Sequence, residues 1–265
     1  MNRQISKLFV LSLMGSSILT ASSAAIASDA HSSADGVQAE LSYRGQDVHL
    51  GPVDRVTGRP NWAYDSAVSV ATFQEDTSVP VVFGPRIVAT AKDINAHVGS
   101  TGLTIDSISS QGDVSIAGDH IALFINPPPV AGRGSGDLAP QPPVPFLTVT
   151  ATELNSVSYY SKVFPHAITA NGTASIGSLK IAGSFFGGRT LKFSGTPAPN
   201  TVIYSSSALT ITLNRQIIAA VSPCSTCAPQ LVSIQTIAID LELEHVVAYG
   251  RAIRGEVRIG SSAAQ

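Results

Sequence analysis

Three carboxylates, Asp240, Glu242 and Glu244, stand at every second position near the end of the chain. In a strand that spacing places all three on one face. A row of hard oxygens could hold a divalent cation such as Ca²⁺, which takes several carboxylate and carbonyl ligands. The plainer reading is a solvated face, partly neutralised by Arg254 and Arg258. His245 falls on the apolar face of the same strand, which favours a buried, hydrogen-bonded imidazole over a catalytic one. Asp119-His120 and Phe164-Pro165-His166 are isolated in sequence. A general base needs an acid or nucleophile beside it in space, and sequence alone supplies none. No catalytic residue is therefore assigned.

Cys224 and Cys227 are the two cysteines of the chain, in Pro-Cys-Ser-Thr-Cys-Ala-Pro. In an exported chain a close pair reads as a disulfide pinning a tight loop between two strand-like runs, 208–221 and 230–247. A redox centre would want the first cysteine at a helix start, and Pro229 with the β-branched run after it argues against a helix. Zinc would need two further ligands at suitable spacing. Covalent haem would need His after the second cysteine, where Ala228 stands.

Trp62 and Tyr64, in Arg-Pro-Asn-Trp-Ala-Tyr-Asp, form the most exposed-looking aromatic pair. They read either as a stacking platform for a glycan or as a plug over the end of a β core. Tyr159-Tyr160 carries the same two readings. The chain has no Gly-x-Ser-x-Gly elbow, His-Glu-x-x-His helix, phosphate-binding Gly-x4-Gly-Lys loop or EF-hand loop. The run Gly132-Arg-Gly-Ser-Gly136 has the wrong spacing for a phosphate cradle. No cofactor is expected.

These residues belong to a chain that begins like an exported protein. Arg3 and Lys7 precede a short apolar run from Leu8 to Leu19, and Ala25-Ile26-Ala27 fits signal-peptidase specificity. Residues 1–27 thus read as a Sec-type signal peptide, too short and too broken by serine and glycine to span a bilayer. No transmembrane segment is expected in the mature chain, 28–265, nor a carboxy-terminal anchor. Its 14 basic residues against 18 acidic ones give a net charge of −4 once Arg3 and Lys7 are removed. Without a basic cluster, nucleic acid is not an expected partner.

Charged residues make up 13% of the chain, about half the usual share. Small and β-branched residues fill the gap. Strand-like runs recur at 37–43, 46–50, 66–73, 79–91, 102–109, 112–125, 146–158, 173–183, 200–213 and 230–259, punctuated by Gly, Pro, Asn and Asp. That spacing predicts an all-β domain of many short, mostly antiparallel strands, sandwich-like or barrel-like, with a β-solenoid as the alternative. Residues 126–146, rich in Pro and Gly, read as a long loop within a single domain. Asn171-Gly172 suits a two-residue hairpin turn.

The last hairpin can be written out in register. Ile237, Ile239, Leu241, Leu243, His245 and Val247 alternate with Ala238, Asp240, Glu242 and Glu244. Ile253, Gly255, Val257 and Ile259 alternate with Arg254, Glu256 and Arg258. A three-residue loop, Ala248–Gly250, opposes Glu244 to Arg254 and Asp240 to Arg258, with both apolar rows on one face.

Leu41-Ser-Tyr-Arg-Gly-Gln-Asp-Val-His-Leu-Gly-Pro-Val53, Tyr64-Asp-Ser-Ala67, Ala198-Pro-Asn-Thr-Val202, Leu209-Thr-Ile-Thr-Leu-Asn-Arg215 and the final hairpin with Gly260-Ser261 resemble the choice-of-anchor P family of exported bacterial proteins. The resemblance implies an extracellular or envelope-associated β protein and carries no active-site residues. The expectation is an exported, non-catalytic protein with a structural, adhesive or surface role, working by self-association or on extracellular glycan. A secreted glycan- or ligand-binding module and a secreted polymer hydrolase are the alternatives, and the compartment is periplasmic or extracellular.

Overall fold

A computed structural model describes residues 32–43, 46–53, 55–58, 64–77, 86–104, 107–116, 121–126, 145–163, 167–221, 230–248 and 251–265. These include fourteen strands: β1 (Ser32–Tyr43), β2 (Gln46–Val53), β3 (Val56–Thr57), β4 (Tyr64–Thr77), β5 (Arg86–Thr104), β6 (Ser107–Ile116), β7 (Ile121–Asn126), β8 (Leu147–Val163), β9 (Ala167–Ala182), β10 (Leu191–Gly195), β11 (Thr201–Ser205), β12 (Leu209–Val221), β13 (Gln230–Ala248) and β14 (Arg251–Ala264). One short 3-10 turn covers Ser184–Phe186. The signal-like residues 1–27, Trp62, Asp119-His120, residues 127–144 of the Pro/Gly-rich stretch, Phe164-Pro165-His166 and both cysteines lie outside the described residues.

The strands form two seven-stranded antiparallel sheets. The first runs β11-β12-β13-β14-β1-β2, with β3 also on β1. The second runs β10-β9-β8-β6-β5-β4, and β7 lies end to end with β6 between β5 and β8. Neither sheet closes on itself, so the architecture is an all-β sandwich rather than a barrel. Antiparallel pairing throughout also separates it from a solenoid. Several strands are longer than the turn-like residues imply: β5 and β13 each have 19 residues. Asn171-Gly172 is no turn. Both residues sit inside β9, opposite Tyr159 and Ser158.

A change of side-chain alternation crosses both sheets. In β13 the inward-facing positions are Ile239, Leu241 and Leu243 on one side of Ala238, but Ile234 and Thr236 on the other. The odd row gives way to the even row. The same shift occurs in β8, from Val149 and Ala151 to Leu154, Ser156 and Ser158, and in β9, from Ile181 and Leu179 to Ile176 and Ala174. Positive φ at Asp93, Glu153, Asn214 and Gly260 marks it in β5, β8, β12 and β14. A residue in the left-handed region turns the following side chains to the opposite face. Cross-strand numbering is unchanged on either side, as in Leu213↔Ile239 and Arg215↔Ile237. The two lines meet inside the sandwich, where the Cβ position of Gly260 runs into Leu154.

On one side of this line the interior holds Leu41, Leu50, Ile211, Leu241, Val257, Leu147 and Ile181, all buried. Burying such side chains contributes about 1.5–3 kcal/mol each. Phe146, Phe185, Phe186 and Tyr204 close that end, with ring centroids 5.1–6.0 Å apart. On the other side the sheets approach so closely that hydroxyls bridge them. Ser158 Oγ donates to the Ser262 carbonyl at 2.9 Å and lies 2.8 Å from the Thr236 hydroxyl, and Ser156 donates to the Thr236 carbonyl at 2.9 Å. A Cβ on Gly112 would come within 2.6 Å of the Ala263 and Ser33 carbonyls. One on Gly172 would collide with Thr236 Oγ1, so this glycine answers to its neighbour across the sandwich, not to a turn.

Candidate functional site

The final hairpin places part of the carboxylate row as expected and rearranges the rest. Asp240 opposes Arg258, and Leu241, Leu243 and Val257 share the core face. Between Leu243 and Val246 the register shifts, and two residues, Glu244 and His245, stand against Arg254 alone. Both their N–H groups reach one acceptor, the Ala208 carbonyl, at 2.9 and 3.3 Å. This β-bulge corrects two expectations. Glu244 does not pair residue-for-residue with Arg254. His245 is exposed, not on the apolar face; Val246 takes that position and Val247 turns outward.

The shift at Asn214 brings Arg215 to the outer face of the first sheet. There its Nη1 donates to Asp240 Oδ2 and Glu242 Oε1, and lies 3.5 Å from Glu256 Oε1. Arg258 Nη2 donates to Glu256 Oε2 at 2.6 Å. The carboxylates that converge are therefore Asp240, Glu242 and Glu256, each offering an oxygen within 4.8 Å of the others. Glu244 is not part of the group. Sequence pairing opposed Asp240 to Arg258, but Arg215 could not be placed without knowing where β12 changes face.

The Asp240 side chain is 0% exposed, and its Oδ1 finds no donor among the described residues. Burial, with Glu256 beside it, pushes its carboxyl up to about 7 despite Arg215. Burial works against charge on Glu256 too, but hydrogen bonds from Arg258 and from protonated Asp240 outweigh it and hold its carboxyl low. The pair thus shares one proton, carried by Asp240 and offered to Glu256. With that proton the group balances two anions, Glu242 and Glu256, against two cations, Arg215 and Arg258. The guanidinium of Arg215 already occupies the position a cation would take between the three carboxylates.

A second polar group sits on the outer face of the other sheet. His97 of β5 lies between two carboxylates, Nδ1 at 2.8 Å from Asp113 Oδ2 of β6 and Nε2 at 2.6 Å from Asp65 Oδ1 of β4. The hydrogen bond to Asp113, then that to Asp65, raises the imidazole pKa. Sequence reading missed His97, because Asp65 and Asp113 lie 32 and 16 residues away and only strand pairing brings them to it. A carboxylate on each ring nitrogen holds an imidazolium well, but it occupies both sites through which a catalytic histidine would act.

The same face is tiled with hydroxyls and amides. Ser69, Asn95, Ser115, Asn155 and Ser175 form one continuous row across five strands. Ser109, Ser161 and Thr169 form another. A third row contains Asp65, Gln111, Tyr159 and Asn171, and Tyr159 is 38% exposed. Ser115, Asn155 and Ser175 also line a groove of about 630 Å³ with Glu153, Ser194 and Thr196. The groove offers hydrogen-bonding groups and a single carboxylate, Glu153, whose side chain lies over Gly177. Two flanking carboxyl groups, as glycoside hydrolysis requires, do not line it.

Trp62 lies outside the described residues, and Tyr64 begins β4 opposite Ser100. Among the described residues no helix is long and apolar enough to cross a membrane. No family model matches the chain, and neither does any curated protein or solved structure.

Proposed function

We propose that this chain is an exported, non-catalytic β protein with a structural or adhesive role in the cell envelope or the medium. One observation carries the reading: among the described residues, the ionisable clusters around His97 and Arg215 are spent on one another as ties between strands. His97 joins β4, β5 and β6, and Arg215 joins β12 to β13 and β14. What remains for outside partners is surface, above all the hydroxyl and amide rows. Cleavage after Ala27, a Cys224–Cys227 disulfide, and a periplasmic or extracellular location complete the proposal and accord with the choice-of-anchor P resemblance. Intact-mass measurement on protein recovered outside the cytoplasm tests these parts: a chain starting at Ser28 and lighter by two hydrogens is expected. A retained leader or two free thiols would contradict them.

The role itself is tested by incubating residues 28–265 with insoluble envelope polysaccharide. Co-sedimentation without release of soluble sugar is expected; steady release would favour a hydrolase. A second reading, a glycan-binding module, is favoured by the groove around Asn155. Substituting Asn155 and Glu153 with alanine should abolish retention on polysaccharide if that groove is the site, whereas a role for Trp62 and Tyr64 predicts loss on replacing those aromatics instead.

A further inference from the structure

We propose that β4 is the edge through which two copies of this chain join, antiparallel, into one continuous sheet. The proposal deepens the structural reading above and rests on it.

Among the described residues the edge strands are β11, and β2 with β3, on one sheet, and β10 and β4 on the other. An edge strand presents unpaired N–H and C=O groups, which proteins normally guard by shortness, proline, glycine bulges or lysine. The edges other than β4 follow that practice, while β9 and β12 run on past β10 and β11 with Gly172 and Arg215 in the uncovered lengths. Strands β10 and β11 have five residues each. Strand β2 has eight, with Gly51-Pro52 inside it and an irregular register against β1. Strand β4 has fourteen residues, Tyr-Asp-Ser-Ala-Val-Ser-Val-Ala-Thr-Phe-Gln-Glu-Asp-Thr, with no Pro, Gly, Lys or Arg. It pairs with β5 in constant register from Tyr64↔Ser100 to Thr77↔Ile87.

Over residues 65–69 the side chains of this edge are exposed on both faces. Asp65, Ser66, Ala67, Val68 and Ser69 are all exposed. Ser66 and Val68 belong to the row that continues the core, opposite Val98 and Ala96, which are themselves fully buried. Val68 is 37% exposed. From Tyr64 to Gln74 the strand carries one charge, Asp65, and that carboxylate is turned back onto His97 of β5.

The segment is complementary to itself, which identifies the occupant as a second copy. Antiparallel pairing about Val68 sets Val68 against its own equivalent, Ser66 against Val70, Ala67 against Ser69, and Asp65 against Ala71. No two carboxylates meet across that stretch, and β-branched residues pair on the row that continues the core. The arrangement has two-fold symmetry, the commonest closure for identical chains.

The test combines sedimentation velocity with hydrogen exchange on residues 28–265. Dimerisation is expected, with slowed exchange over residues 64–72 as concentration rises and unchanged exchange in β10 and β11. Val68→Lys should weaken dimerisation by roughly tenfold or more, because it opposes two ammonium groups, while leaving the monomer's thermal unfolding unchanged. Mixing Val68→Lys with Val68→Glu should restore association. Association that survives Val68→Lys with protection elsewhere overturns the β4 edge and leaves the structural reading intact. A chain that stays monomeric yet sediments with envelope polysaccharide overturns the second copy as partner, again without touching that reading. Protection of β4 on adding an unrelated strand-forming peptide, but never with concentration, overturns self-pairing in favour of a foreign strand.

Discussion

Asp240 is the residue whose surroundings most exceed what its position in a strand implies. A carboxyl on the outer row of a sheet ordinarily meets water, but Asp240 is covered by the side chains around it and shares a proton with Glu256. Its raised pKa makes stability pH-dependent in a definite direction. The folded state keeps a proton that the unfolded chain releases near 3.8. This stabilisation is complete below that value and is lost as pH rises towards about 7. The lowered carboxyl of Glu256 acts oppositely, its contribution present above 4.5 and lost on acidification. Asp240→Asn imitates the protonated form, donating to Glu256 while still accepting from Arg215. Urea unfolding should show this variant losing less stability than the wild type between pH 5 and pH 8. Asp240→Ala should instead cost roughly 1–3 kcal/mol, since it removes the buried hydrogen bonds to Arg215 and Glu256.

His97 titrates in the same sense. Its pKa is raised above 6.5 by Asp113 and Asp65, so its contribution is whole below that value and fades as pH rises through the folded value. Being partly exposed, it should matter less than Asp240. His97→Gln should remove that part of the pH dependence without loss of fold, as followed by thermal unfolding at pH 5.5 and 8.5. The carboxylate row was legible in the sequence because its spacing is strictly local. Glu256, Arg215 and His97 were not, because their roles depend on which strands lie side by side and which way each faces.

Among the elements, alternation was legible wherever a strand stayed regular. The apolar row from Ile239 to Leu243 lies on the core face, and Asp240 faces Arg258. What alternation cannot reveal is a residue that reverses it. The Glu244–His245 bulge moved Val246 inward, and the left-handed residues Asn214, Glu153 and Asp93 exchange inner and outer rows halfway along their strands. Asn and Asp tolerate that backbone region better than most residues, but one such residue in an otherwise β-like run is a weak signal. Gly172 illustrates the same limit, since a glycine required by tight contact between sheets has the same letter as one required by a turn.

The thin, hydroxyl-bridged part of the sandwich gives two predictions at this scale. Gly112→Ala inserts a methyl group against two carbonyls and should cost about 1–3 kcal/mol in chemical denaturation. Ser158→Ala removes a hydroxyl that bonds Thr236 and Ser262 at once, and should cost about 1–2 kcal/mol. Ser158→Val should cost more than Ser158→Ala, because that part of the core has no room for a branched side chain. Equal stability of the two variants would contradict the close approach of the sheets.

At the scale of the whole molecule, the described residues form two long antiparallel sheets that hold their ionisable clusters as internal ties and leave broad polar faces and the long, uninterrupted edge of β4. The low share of charge and the recurrent strand-like runs made the all-β class legible in the sequence. Which strands lie at the edges was not legible, because β1 enters beside β14, far from it in sequence. A molecule built this way acts by what its surfaces meet, its own copies first. Light scattering on residues 28–265 over a wide concentration range tests that most directly. The account predicts a mass above that of one chain, increasing with concentration. A single-chain mass at every concentration would contradict it.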